Sequence, residues 1–506
     1  MTAHSGRVAG RTSGQWLALP PRLAAAGRLL RLELRRSAML WMIPVAAALF
    51  WYNAFRESMA EPALWNLRAM TMQHGVLLDF APPVVGAAAW MGSRDGRRHL
   101  LDLIATVPRP RWVTQLATWA AVTCWALVAY CCCVGVLYAE TARQAHWGGP
   151  IWWPAIVGAA GIPALSAVGF AAGAWFPSRF TVPVVTVGAF FALGFSAQPR
   201  PPQWQVSPTI ADSSFIGPDA GMGTFYHYLP DLAIAQVICL VGVAAAALGA
   251  FGLLDRGSGR WLRGIASSMI VVGIAAVATA AGLAGTGRLD PHGMLVIPAL
   301  HDAANNRPIS YTPVCDQASI PICLNPAYAA YLADVRQALT PLLGELAGLP
   351  GAPRSVGQVA PLYAGPQTSG PSGTGVVIND GPHGGGPGQF DFVLPSQLPG
   401  EPGVGTSVGQ FVRQIRQGAA TDLLSGVVVG GGPGGETQAQ RAVVAALTLD
   451  AGAAVSSRGV ITPPADSAVG AAAQRFAALP ASVRRTWLAT HLTALRAGRI
   501  TLAQLP

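Results

Sequence analysis

The 506-residue chain contains no lysine; all 33 of its basic residues are arginine. A phosphate-cradling loop of the G-x-x-x-x-G-K-[ST] kind needs that lysine to reach the β- and γ-phosphates. The glycine-rich stretch GGGPGGETQ (430–438) is therefore excluded as one, and reads as a loop ahead of a helix capped by Glu436. Charge of either sign is scarce. Charged residues make up 11% of the chain, against about 25% in soluble globular domains. With 52% hydrophobic residues and a mean hydropathy of +0.41, this excludes a large soluble enzyme and points to an α-helical polytopic membrane protein. The net charge of +10 is spread through loops, with no basic, aromatic-lined stripe that would suit nucleic acid.

Catalytic and metal-binding patterns are equally thin. There is no HExxH, and His292, His301 and Asp302 lack a third ligand at a telling spacing, so they read as surface residues. GTSVG (405–409) matches GxSxG, and Asp422 and His491 follow Ser407 in a serine-hydrolase order. A nucleophile elbow needs a strand running into the turn. LPGEPGV precedes it instead, so Thr406 or Ser407 is expected to cap the next helix. The reading assigns no catalytic residue, no metal and no cofactor. A membrane-tethered hydrolase using Ser407 is the weakest of three functional alternatives.

What is abundant is apolar runs. Seven segments approach the roughly 20 residues that cross a bilayer core: 38–55, 73–92, 113–138, 151–176, 180–197, 231–254 and 265–286. Only PSR (177–179) separates the fourth from the fifth, which predicts a tight helical hairpin. Alternate connections carry sixteen arginines on one side and four on the other. The positive-inside rule then places the N-terminus in the cytoplasm of a multi-pass plasma-membrane protein. RRSAML (35–40) faintly resembles an export signal, but six further spans follow and no cleavage site stands out. Residues 21–37 divide leucines from arginines, either as an amphipathic helix at the interface or as the charged entry to span one. One acid, Asp79, falls inside a span, one turn before Pro82 and Pro83. Its place near the outer end of span two favours snorkelling or pairing with Arg56 or Arg68, a structural role, over a transport role.

The chain thus divides into a cytoplasmic tail (1–37), a transmembrane domain (38–287) and an extracytoplasmic α+β domain (288–506). Five cysteines (Cys124, Cys131, Cys132, Cys133 and Cys239) sit in apolar runs and read as small buried hydrophobes. Cys315 and Cys323 lie in the exported domain, where an oxidising compartment predicts a disulfide between them. Asn325 and Pro326 then start a helix reaching about Gly344. SVGQVAPLY, GVVIND and QFDFVL have strand character. Helical patterns follow at 407–424, 436–451, 466–477 and 482–497, the last with a serine cap and a glycine stop.

The loop SRDGRRHLLDLIATVPRPRW (93–112) concentrates five arginines around a short leucine-rich helix of one to two turns that Pro108 ends. It is either a solvated cytoplasmic loop or an element presenting an apolar knob to a soluble partner. It resembles the coupling helix between spans two and three of ABC-2-type transporter permeases. The matching residues are Arg94, Asp95, Gly96, the pair Leu100 and Leu101, Ala105 with Thr106, then Pro108 and Arg109, flanked by Arg97 and Arg98. His99 stands where the family often has glutamate, and the similarity covers only the first half of the chain. ICLNPAY (322–328) is similar to a C…PxC…HPAY segment after the last span of actinobacterial permease-like proteins, with Asn325 in place of histidine. The resemblance implies the membrane subunit of an exporter, paired with itself or another permease and coupled through 93–112 to a separate ATPase. The alternative is a membrane-anchored sensor or scaffold whose outer domain binds an envelope ligand.

Overall fold

The computed structural model describes residues 21–60, 62–97, 111–196, 206–210, 222–253, 259–290, 295–360, 388–395, 398–399, 407–425, 436–448 and 467–506. Each of the seven apolar segments is helical. They correspond to α2 (Met39–Ala60), α3 (Trp65–Gly92), α5 (Arg111–Gln144), α6 (Trp152–Trp175), α7 (Thr181–Ser196), α9 (Asp231–Leu253) and α10 (Arg260–Gly285). The N-terminal helix α1 (Pro21–Arg36), α4 (Arg94–Arg97) and α8 (Met222–Phe225) complete this half. Four helices, α5, α6, α9 and α10, are long and apolar enough to cross a membrane. A fifth span results if α1 and α2, bent by 53° at Ser37 and Ala38, count as one. Helix α7 and the Leu77–Gly92 part of α3 are shorter apolar helices. Length and composition thus support four or five spans among the described residues.

The helices approach one another where side chains are missing. A Cβ at Gly169 of α6 would lie 2.5 Å from Val85 O of α3, and Gly173 meets Ala89 O on the next turn. Gly242 and Gly249 of α9 do the same against Gly273 O and Ala266 O of α10, at 2.7 and 2.5 Å. Such small-residue contacts replace the hydrophobic drive that lipid cannot supply. Proline lies inside α2 (Pro44), α3 (Pro82, Pro83) and α6 (Pro163). Helix bundles tolerate these because neighbouring groups satisfy the freed carbonyls. Helix α2 also contains a π-helical turn, Phe50–Phe55.

After α10 the chain forms a short hairpin, β1 (Arg288–Leu289) with β2 (Leu295–Val296). A mixed sheet follows in the order β3 (Val314–Cys315), β4 (Ile322–Leu324), β5 (Ser355–Gln358), β6 (Gln389–Phe392). The first pair is antiparallel, the other two parallel. Asn325 caps as expected, accepting from Ala327 N at 3.0 Å. A 3-10 turn, Pro326–Tyr331, then leads into α11 (Leu332–Leu346), which crosses from β4 to β5. Against this layer pack α12 (Val408–Ser425), α13 (Gln438–Thr448), α14 (Ala468–Ala478) and α15 (Ala481–Arg496). The expected caps shift by a residue or two. Thr437 rather than Glu436 brackets α13, exchanging bonds with Gln440, and Pro480 rather than Ser482 precedes α15. Gly498, with φ +66°, supplies the expected stop. GVVIND lies outside the described residues.

Arginine does structural work here that short side chains could not. Pro341 inside α11 lacks the N–H that would bond Gln337 O. Buried Arg416 of α12 reaches across and donates to Gln337 O and Ala338 O, both at 3.0 Å. Arg496 ties α15 to Leu423 O and Gly351 O at 2.7 and 2.9 Å.

Cys315 and Cys323 are directly opposed in the β3–β4 pair and form a disulfide. Replacing both by serine is expected to destabilise the sheet by about 2.5 kcal/mol, the loop-closure figure for so short a loop. Amide exchange in β4 and β5 should accelerate accordingly, and unchanged exchange would show that the sheet does not depend on the cross-link.

Candidate functional site

The start of the arginine-rich loop is anchored on several sides. Arg94 forks onto Glu33 of α1, with Nη1 and Nη2 donating to the two carboxylate oxygens at 3.1 and 3.2 Å. Two parallel bonds of this kind fix orientation as well as contact. Asp95 accepts from Gln115 of α5 at 3.2 Å. Trp125 of α5 donates to Leu34 O at 2.9 Å, holding α1 on the same helix. A Cβ at Gly96 would lie 2.5 Å from Pro177 Cβ, so this glycine lets the loop rest on the α6–α7 turn. Arg97 lies over the Trp90 ring, 3.5 Å from its centroid, and donates to Trp90 O at 3.1 Å.

Of the residues expected to couple to a partner, Arg94, Gly96 and Arg97 are therefore engaged with the protein's own helices. Arg98, Leu100, Leu101, Thr106, Pro108 and Arg109 lie outside the described residues. Helix α1 forms as a separate element packed on α5, which favours the distinct-helix reading of 21–37 over a mere charged entry. Glu33, the one acid in RLLRLELRRS, is the anchor that the arginine-centred reading missed.

At the opposite end, the C-terminal domain shares a hydrophobic core with the helices. Leu64 and Leu67 near the start of α3, with Phe225, Tyr226 and Leu229, belong to the same buried cluster as Ile322, Leu339 and Phe411. Trp147, between α5 and α6, stacks edge-on against Tyr311, which stacks against Phe225. Ile309 N donates to Phe225 O at 2.8 Å.

The seam centres on Asp231, the first residue of α9 and fully buried. Its Oδ2 accepts from Ile297 N at 2.9 Å and lies 3.2 Å from His301 Nδ1. His301 is thus a partner of Asp231, and Asp302 caps a 3-10 turn by accepting from Ala304 N at 2.9 Å. His292 lies outside the described residues. Among the described residues no group of three metal-ligating side chains forms. The signal for Asp231 was its place directly after Pro230, opening a long apolar run, where an acid suits a helix N-terminus.

Between the two ends lie polar contacts within the apolar bundle. Asp79 of α3 accepts from Asn53 Nδ2 of the π-turn at 3.0 Å. Arg68 donates to Gln144 at 2.6 Å, and Arg56 lies over the Tyr52 ring. Closer to the C-terminal domain, Gln73 of α3 and Gln236 of α9 clamp the non-helical segment 206–210. Gln236 donates to Ser207 O and Ile210 O, both at 2.7 Å, and Gln73 donates to Pro208 O at 2.9 Å.

The serine-hydrolase order does not assemble among the described residues. Ser407 caps α12, with Oγ accepting from Gln410 N at 3.2 Å. His491 Nδ1 lies 3.0 Å from Trp487 O and its ring stacks on that indole. Asp422 belongs to a different pair. Burial, assisted by the nearby Glu436 carboxylate, pushes its carboxyl up to about 7, and Glu436 is also raised, mainly by burial. No protein-family model matches this chain, and no curated protein or solved structure matches it either.

Proposed function

We propose that the protein is the membrane-spanning permease subunit of an ABC-2-like exporter, coupled to a separate ATPase through loop 93–112. The observation that carries this reading is the anchoring of the loop's first turn. Glu33–Arg94, Gly96–Pro177 and Arg97–Trp90 connect it to α1, the α6–α7 turn and α3. A force applied to the leucine turn by a docked partner would reach those elements together. In this reading the arginine-rich end faces the cytoplasm of a multi-pass plasma-membrane protein and the C-terminal domain lies outside. The subunit pairs with a second copy or with another permease, and ATP hydrolysis belongs to the partner.

Arg97 is occupied by Trp90, so Leu100 and Leu101 are the better probes of docking. Purified from its native membrane, the wild-type protein is expected to carry an ATPase subunit. The double change Leu100→Asp with Leu101→Asp should lose it while still inserting into the membrane. Absence of any ATPase in the wild-type preparation would overturn the exporter reading. The shared core of the C-terminal domain with α3 and 222–229 favours a second reading, a sensor whose domain passes a binding event directly to the helices.

A further inference from the structure

We propose that Gln73, Ser196, Ser207 and Thr209 form a binding site for a monovalent alkali cation, where the end of α7 meets the clamped segment 206–210. The inference rests on this buried cluster, and not on the exporter reading or on any ATPase.

An oxygen without a partner marks the site. Gln73 of α3 is only 1% exposed. Its Nε2 donates to Pro208 O at 2.9 Å and to Ile210 O at 3.4 Å. Those two carbonyls decide which end of the amide is nitrogen, since the reverse orientation would set oxygen against oxygen. The other end, Oε1, is buried and has no hydrogen-bond partner among the described residues. Nitrogen and oxygen of one amide are about 2.2 Å apart, so Oε1 lies within roughly 5 Å of Pro208 O. A buried polar atom left unmatched costs free energy, and an unmatched acceptor calls for a donor or a cation.

The surroundings are oxygens. Ser207 and Thr209, on either side of Pro208, meet Ser196 at the end of α7. Their hydroxyls form a triangle, with Ser196 2.6 Å from Ser207 and 3.1 Å from Thr209, and 2.8 Å between the latter two. Ser196 Oγ donates to Leu193 O at 2.7 Å. That carbonyl is among the last four of α7, which lack an intrahelical partner and carry the negative end of the helix dipole. Each hydroxyl brings one proton but two lone pairs, so the group as a whole is rich in acceptors. The same parts, a helix C-terminal end and non-helical backbone, coordinate sodium in secondary transporters.

Gln236 of α9 also holds the segment, donating to Ser207 O and Ile210 O, both at 2.7 Å. The two amides thus occupy the carbonyls of 207, 208 and 210, and the ligand set is the hydroxyl oxygens with Gln73 Oε1. This set contains no carboxylate, which calcium sites and magnesium sites ordinarily supply. Neutral oxygens suit a single positive charge instead. A bound ion would tie α3 to the segment that joins α7 to α9.

Equilibrium binding of radioactive sodium and rubidium to the full chain in lipid nanodiscs tests this, with choline chloride holding the ionic strength. A single saturable site per chain is expected for at least one of the two ions. Gln73→Leu removes the orphaned oxygen and should weaken binding by roughly tenfold or more, the worth of a bond to a charged group. Ser196→Ala takes away one hydroxyl, leaves both amide clamps in place, and should also weaken binding by about tenfold. It decides the matter even if Gln73→Leu does not fold. Saturable binding of neither ion would show that a buried water satisfies Oε1, and would overturn the proposal. Binding that is unchanged in a folded variant of either kind places the ion elsewhere and overturns it too.

Discussion

Asp231→Ala is expected to loosen the C-terminal domain from the helices, costing on the order of 3 kcal/mol. The carboxylate is fully buried and serves two partners, Ile297 N and His301 Nδ1. Alanine leaves both without their acceptor in a place water does not reach, and such orphaned groups cost more than a lost surface bond. It also removes a negative charge from the first turn of α9, where the helix dipole favours one. Asp231→Asn keeps the shape and one carbonyl oxygen, so it should cost only about 1 kcal/mol. Hydrogen exchange in lipid nanodiscs separates these cases. Residues 295–301 should exchange faster in Asp231→Ala, little faster in Asp231→Asn, while the α9–α10 pair stays protected by its glycine contacts. Equal protection of 295–301 in wild type and Asp231→Ala would show that the shared hydrophobic core alone holds the seam.

The seven apolar helices, the hairpin at PSR, the Asn325 cap, the disulfide and the helical order of the C-terminal domain were legible because each is a local signal: a run length, a turn residue, two cysteines close in sequence. The seams were not, because they join residues far apart in the chain. Nothing in the leucine spacing of α3 marks Leu64 and Leu67 as part of the C-terminal domain's core rather than the bundle's. Glu33 stands among arginines in the sequence, and only the packing of α1 beside Arg94 gives it a partner. Asp79 was conspicuous in an apolar run, yet its partner was assigned by charge. The structure supplies an amide donor, on a π-turn that no periodicity argument predicts. His301, read from the sequence as a surface residue, is largely buried for the same reason. Residue type was read without the buried carboxylate of Asp231 opposite it.

Raising the pH from about 5 to about 8 should destabilise the C-terminal domain, and Asp422→Asn should abolish most of that loss. The Asp422 carboxyl is pushed up to about 7 in the folded chain by burial and by the Glu436 charge, against about 3.9 for an unfolded aspartate. Between those values the folded state holds a proton that the unfolded state has released. Stability therefore falls as pH rises through the interval and levels off above the folded value. At about 1.4 kcal/mol per pH unit the loss between pH 5 and pH 8 is roughly 3 kcal/mol as an upper figure, reduced by whatever relaxation lets water reach the carboxylate. Glu436 is raised in the same direction, though Thr421 and Arg441 oppose the shift, so Glu436→Gln should give a smaller gain of the same sign. The readout is amide exchange of α12 and α13 in the full-length protein at both pH values, corrected for intrinsic rates. Asp422 Oδ1 has no hydrogen-bond partner among the described residues, so asparagine can occupy its place without breaking a contact there. If Asp422→Asn leaves the pH slope of α12 and α13 unchanged, the carboxyl is ionised in the folded domain and the sensitivity lies elsewhere.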